Sequence, residues 1–101
     1  MDIIELRMLF DGIQQIHRFP NDYGADVVRH SFSYGGKEGL WELAVLQFDG
    51  PNDDDGHLCY DTPLTDDVLG GLRMDEVEAH IATIRGYKKD EYTCVKGDDL
   101  S

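Results

Sequence analysis

The segment LWELAVLQF, Leu40–Phe48, is the most apolar stretch of the 101-residue chain. Its apolar side chains fall on both faces of an extended strand, and its polar residues Glu42 and Gln47 lie near the ends. A strand that is apolar on both faces is typical of the middle of a sheet, covered on one face and partly covered on the other. We therefore expect this segment to form the central strand.

The segments on either side of it predict two neighbouring strands. Residues 25–34, ADVVRHSFSY, alternate in the way expected of a half-buried strand, and GGKEG then turns the chain. After the central strand, the acidic loop DGPNDDDG leads into a short third strand at residues 58–60. Because these connections are short, we expect the three strands to form an antiparallel meander.

Two further segments predict helices. Over residues 2–18, Asp2 is a suitable N-cap, Glu5 completes a capping-box pattern, and the apolar residues follow the helical period. These apolar residues are Ile3, Leu6, Leu9, Phe10, Ile13 and Ile16. A second helix is expected to begin at Leu72 and to close at Arg85 and Gly86.

The segment YDTPLTDDVLGGL, residues 60–72, predicts a connector between the third strand and the second helix. Pro63 ends the strand, and Thr65 is placed to cap a short helical turn. Gly70 and Gly71 then allow the chain to turn into the second helix. The tail segment EYTCV, residues 91–95, predicts a short fourth strand or a docked extension.

These elements together predict an α+β fold. We expect a single domain over residues 1–101, with residues 96–101 frayed at the end. Its layout would be an N-terminal helix, a three-stranded antiparallel meander and a C-terminal helix, with the helices packed on one sheet face as a two-layer sandwich.

The net charge is −12, from 21 acidic and nine basic residues. This balance disfavours direct binding of nucleic acid, which needs clustered lysine and arginine, and disfavours an anionic membrane surface. It allows a basic partner, imitation of a polyanion, or a role in solubility alone.

The N-terminus and the cysteines predict a cytoplasmic protein. The first ten residues carry acids where a signal peptide would be basic, and no apolar run is long enough to cross a membrane. Cys59 and Cys94 could form one disulfide, but two reduced thiols are the simpler expectation.

The patterns that suggest metal sites or catalysis are incomplete. Aligning Gly56 with the sixth position of a calcium-binding EF-hand loop leaves Pro51 and Thr62 at positions that need ligands, so at most an irregular cation site remains. His57 and Cys59 could share a zinc ion only with ligands from distant segments. The glycine-rich SYGGKEG, residues 33–39, lacks the spacing of a phosphate-binding loop. We therefore expect no catalytic residues, no cofactor and no metal.

Acidic residues are concentrated in one part of the chain. Residues 49–78 contain ten acids and one arginine, a net charge of −9. If these acids share one edge, they would form a patch that attracts a basic surface; otherwise they are turn residues and helix caps that are adjacent only in sequence. The residues expected to bind a partner are Asp53, Asp54, Asp55, Asp66, Asp67, Asp75, Glu76 and Glu78.

Residues 33–84 carry a series of short motifs: a Tyr-Gly turn, the strand GLWELAV, and the connector YDTPLTDDVLGGL. This arrangement resembles small uncharacterised accessory proteins of tailed phages and enterobacterial prophages. The resemblance implies a phage or prophage protein that acts in the bacterial cytoplasm, and it brings no activity and no catalytic residues. Small acidic phage proteins often bind and inhibit a host protein, sometimes as mimics of DNA.

Three functional hypotheses follow. The first is a non-enzymatic acidic interaction protein that binds a basic surface of a host protein, as an inhibitor or nucleic-acid mimic. The alternative is a self-assembling structural module that forms a homodimer through a sheet edge. The third is a weak metal-binding or enzymatic role.

Overall fold

A computed structural model describes residues 2–31, 36–50, 52–53, 56–65, 68–92 and 94. Within these residues the chain forms one sheet, one α-helix and a short 3₁₀ turn at Gly36–Glu38. The elements are β1 (Ile3–Leu9), β2 (Gly12–Arg18), β3 (Tyr23–Arg29), β4 (Trp41–Gln47), β5 (His57–Leu58), β6 (Leu69–Leu72) and α1 (Met74–Arg85).

The first four strands are antiparallel neighbours in chain order. The other edge of β4 pairs with two short strands: β5 lies beside Leu46 and Gln47, and β6 lies beside Trp41 and Leu43. β4 therefore has neighbours on both edges, and the prediction of a central strand at residues 40–48 is confirmed. Its side chains are buried or half-buried throughout.

The prediction of an N-terminal helix over residues 2–18 is wrong. β1 and β2 form an antiparallel hairpin, and the turn between them consists of Phe10 and Asp11, with Phe10 at a positive φ of 56°. The helical period and a period of two both fit this segment. Gly12 favours the hairpin, because it disfavours a helix interior by about 1 kcal/mol and, as the first residue of β2, lets that strand lie close to β3. The predicted sandwich of two helices on a meander is thus replaced by a wider sheet with a single helix.

Gly12 also allows β2 and β3 to approach each other closely. A Cβ atom placed on Gly12 would overlap the carbonyl oxygen of Arg29 on the neighbouring strand. The hairpin can therefore join the sheet in this register only if the residue at this position has no side chain.

The shorter elements differ from their predictions as well. The strand expected at residues 58–60 is the two-residue β5, and the strand expected at residues 25–34 spans Tyr23–Arg29. The connector contains β6, which pairs with β4 across an irregular register, and Thr62 and Thr65 form an isolated bridge. Asp66 and Asp67, with which the predicted helical turn would begin, lie outside the described residues. Glu91 and Tyr92 form no strand, and the other residues of the tail prediction, apart from Cys94, lie outside the described part.

The predicted C-terminal helix is confirmed. α1 begins after Arg73, and Val77, Ile81 and Ile84 form its buried face. The side-chain amide of Asn21 donates to the carbonyl oxygens of Ile84 and Tyr87, at 3.0 and 2.8 Å, and so satisfies the C-terminal end of the helix. Among the described residues, no helix combines the length and apolar character needed to span a bilayer.

The main core lies between α1 and strands β3 and β4. Its sheet side is formed chiefly by Ala25, Val27, Leu43 and Val45, which are all essentially inaccessible to solvent. A smaller cluster on the opposite sheet face consists of Ile16, Leu46 and Phe48. The fold therefore places most of its apolar burial under one helix.

The C-terminal segment is fastened to this core by a disulfide between Cys59 and Cys94, both of which are buried. Their Cα atoms are 4.9 Å apart, a separation that a disulfide can span. The expectation of two reduced thiols is therefore wrong. Beside the disulfide, the Tyr23 hydroxyl donates to the Tyr92 carbonyl at 2.6 Å and accepts the Tyr92 N–H at 2.8 Å.

Substituting Gly12 by alanine is expected to lower the free energy of unfolding by about 2 kcal/mol or more, because β2 and β3 must separate to admit the methyl group. Chemical unfolding monitored by circular dichroism measures this loss. Gly86→Ala is the matched control, because Gly86 has a φ of −80° and an added Cβ there would make only ordinary contacts. Equal effects of the two substitutions would contradict the close approach of β2 and β3.

Candidate interaction surface

An apolar strip lies exposed on β1. We use the name apolar strip for Ile4, Leu6 and Met8, which are 58%, 68% and 81% exposed. Phe10, at the tip of the hairpin, is 71% exposed. Contiguous exposure of large apolar side chains is uncommon on a protein surface that has no partner.

The strip continues the same sheet face that α1 covers elsewhere. In the register of the sheet, Leu6 lies in line with Gln15, Val27 and Leu43 across the four strands. Directly opposed residues of antiparallel strands point to the same face. Val27 and Leu43 are core residues, whereas Leu6 is exposed, so the helix covers one half of this face and leaves the other half open.

The other face of β1 carries a pair of opposite charges. The Arg7 guanidinium donates to the Glu5 carboxylate at 2.7 Å, and both side chains are about half exposed. Nearby, burial raises the pKa of Asp26, while a hydrogen bond from Gln14 and the charge of Arg7 act in the opposite direction. β1 is therefore apolar on one face and charge-balanced on the other.

The end of the hairpin opposite its turn contacts the C-terminal end of α1. The Arg85 guanidinium donates to the Asp2 carboxylate at 2.7 Å and stacks over the ring of Phe19. Beneath it, the buried ring of His17 is 3.0 Å from the side-chain oxygen of Gln15. Burial lowers the pKa of His17, and the positive charge of Arg85 lowers it further.

The described members of the predicted acidic surface fall into two separate groups. Asp53 lies in the loop that follows Gln47, whereas Asp75, Glu76 and Glu78 lie at the start of α1. The start of α1 is next to Trp41, at the other end of β4, because β6 pairs there. The length of β4 separates the two groups by about 20 Å. The remaining predicted residues, Asp54, Asp55, Asp66 and Asp67, lie outside the described part of the chain.

Two of these acids hold local structure. The Asp53 carboxylate accepts the backbone N–H groups of Asp49 and Gly56, each at 2.9 Å, and thereby closes its loop. The Glu76 carboxylate accepts the backbone N–H of Arg73 at 3.0 Å, which satisfies a donor at the start of α1. Asp75 and Glu78 are exposed on the helix surface.

The acidic loop also contains a group with the chemistry of cation ligands. Ligand atoms of Asp49, Asp53 and His57 all lie within 4.8 Å of one another. However, Arg18 donates to the carbonyl oxygens of Gly50 and Asp53, so a fixed positive charge lies beside the group and opposes cation binding. The hydrogen bonds by which Asp53 closes the loop explain why these three side chains lie close together. The zinc pairing of His57 with Cys59 is not formed, because Cys59 is bonded to Cys94.

The exposed strip was missed by the sequence reasoning because its residues were assigned to a helix. The signal that could have found it is the alternation of Ile4, Leu6, Met8 and Phe10, followed by Asp11-Gly12. That pattern predicts a hairpin strand with one apolar face.

No family model, curated protein or solved structure matches this chain. The resemblance of residues 33–84 to phage accessory proteins stays a prediction.

The lowered pKa of His17 predicts a pH-dependent stability. The neutral form is favoured in the folded state, so its full contribution is present above the unfolded pKa of about 6.5 and is lost as the pH falls toward the folded pKa. Urea unfolding between about pH 7.5 and pH 5 should therefore show a steeper loss of stability for the wild type than for His17→Gln. Because the other histidines are present in both proteins, parallel pH profiles would contradict this role of His17.

Proposed function

We propose that this chain is a non-enzymatic interaction protein that binds a protein partner through the apolar strip of its N-terminal hairpin. The observation that carries the proposal is that Ile4 and Leu6 extend a core-forming sheet face into solvent, with no helix above them among the described residues. A face of this kind is completed when another molecule packs against it.

The energy available from the strip supports this role. Burying a leucine, isoleucine or methionine side chain fully contributes about 1.5–3 kcal/mol, and each strip residue is more than half exposed. Burial of the three side chains would thus contribute several kcal/mol to a complex, before the costs of association. The strip is at a sheet edge, where backbone groups can add hydrogen bonds to the same interface.

The double variant Leu6→Ser, Met8→Ser is expected to reduce partner binding at least tenfold, because it removes the most exposed apolar side chains of the strip. The measurement is quantitative mass spectrometry of proteins captured from a bacterial lysate on the immobilised chain. The matched control is Val68→Ser, Met74→Ser, which alters exposed apolar residues outside the hairpin. Capture that is insensitive to the hairpin substitutions but sensitive to the control would overturn the proposal.

A second candidate is the binding of a basic surface of a host protein, as an inhibitor or nucleic-acid mimic. The net charge of −12 and the exposure of Asp75 and Glu78 favour it. Opposite potentials accelerate encounter and strengthen binding at low salt.

The second candidate predicts that capture falls when salt is raised from about 0.05 to 0.5 M, and falls again on charge reversal. The reversals are Asp66→Lys with Asp67→Lys, and Asp75→Lys with Glu78→Lys. The same lysate experiment measures both effects, with the neutral pair Asp75→Asn, Glu78→Gln as an intermediate control. Binding that ignores salt and charge reversal would exclude a basic partner.

A further inference from the structure

We infer that the hairpin binds a second copy of this chain, which pairs antiparallel with the open edge of β1 so that Leu6 of each copy faces Leu6 of the other. The inference rests on the proposed role of the hairpin as the binding surface. It adds the identity of the partner, the strand and the register.

The open edge of β1 is suited to strand pairing. Among the described strands β1 is at the end of the strand order, and its register with β2 is unbroken from Ile3 to Leu9. Along an edge strand, alternate residues present unpaired N–H and C=O groups. Natural edges are commonly protected by proline, charged side chains, bulges or shortness. β1 is seven residues long, has no proline, and carries two charged residues of opposite sign, Glu5 and Arg7.

The sequence of β1 is complementary to itself about Leu6. With Leu6 opposite Leu6, Glu5 of each copy lies opposite Arg7 of the other. The four charges then alternate in sign on one face of the joined sheet, continuing the Glu5–Arg7 pair that each copy already forms. Opposite charges in directly opposed positions stabilise antiparallel strands.

Other registers lack this match. Centring the pair on Glu5 opposes two glutamates, and centring it on Arg7 opposes two arginines. In-register parallel pairing would place Glu5 next to Glu5 and Arg7 next to Arg7. Like charges directly opposite each other are destabilising, so charge favours the arrangement about Leu6 over these three registers.

The same register joins the apolar strips. Ile4 of each copy lies opposite Met8 of the other, with the two Leu6 side chains between these pairs. Because opposed residues share a face, the six side chains form one continuous apolar row, and the helices of both copies lie on that same side. Each strip residue thereby gains an apolar neighbour in place of water.

A charge-swap experiment tests the register. Glu5→Arg alone and Arg7→Glu alone each oppose like charges in a homodimer, and each should weaken dimerisation about tenfold or more relative to the wild type. A mixture of the two variants restores both opposite-charge pairs, so a heterodimer should form with near wild-type affinity. Analytical ultracentrifugation over a range of concentrations measures these constants, and thermal unfolding confirms that each variant is folded.

Disulfide trapping provides an independent test. Both native cysteines are joined to each other, so Leu6→Cys introduces a single free thiol. It should crosslink across the dimer on mild oxidation, because directly opposed residues are within disulfide range. Met8→Cys is the control, because the two copies of residue 8 would be about 13 Å apart.

The outcomes separate the inference from the proposed function. Dimerisation that is restored in the mixture, with crosslinking at residue 6 and not at residue 8, supports the register. A monomer at all concentrations, with lysate capture that depends on the hairpin, overturns the inference and leaves the proposed function intact. A dimer that is unaffected by the charge swaps and crosslinks equally at both positions also overturns it. If the chain is a monomer and the hairpin substitutions do not change its capture of lysate proteins, both the inference and the proposed function are overturned.

Discussion

A single α-helix is too narrow to cover this sheet. α1 is about 10 Å wide, whereas neighbouring strands are spaced about 4.8 Å apart, so it can cover little more than two strands. It packs on β3 and β4 and buries Val77, Ile81 and Ile84 against them. On the same face, the described residues leave β1 exposed and β2 only partly covered, and the exposed strip follows from this difference in width.

The contacts that join distant parts of the chain are concentrated in the covered half. Asn21 holds the end of α1, Tyr23 holds Tyr92, and the disulfide ties Cys94 beneath the same region. These contacts keep the helix over β3 and β4 and prevent it from shifting toward the hairpin. The hairpin is joined to this core by the continuous pairing of β2 with β3.

Some of the acidic residues have structural roles close to their own positions in the chain. Asp53 closes a loop and Glu76 satisfies a helix start, and these two sites are separated by the length of β4. They are close in sequence and were predicted to form one patch, but between them the chain passes from β5, beside Leu46, to β6, beside Trp41, at the other end of β4. Whether acids adjacent in sequence share a surface therefore depends on where the strands turn.

Predictions succeeded where one local pattern dominated. The apolar run at residues 40–48 can only be accommodated inside a sheet, and the buried face of α1 has only the helical period. Residues 2–18 contain a helical period and, over residues 4–10, also a period of two, and the pairing of β2 with β3 favours the extended form. β6 was not predicted, because Gly70 and Gly71 are typical of a turn and not of a strand. In the fold, pairing with β4 makes this segment a strand.

The sequence by itself determined the central strand, the C-terminal helix, the excess of acidic charge, and the self-complementary order of charged and apolar residues in β1. These properties are local, because they depend on the order of side chains along one segment. The tertiary structure alone decided that the N-terminal hairpin pairs with β3, that Cys59 meets Cys94, and that the face containing Leu6 is left uncovered. Each of these depends on which distant segments meet, and side-chain periodicity within one segment carries no record of that.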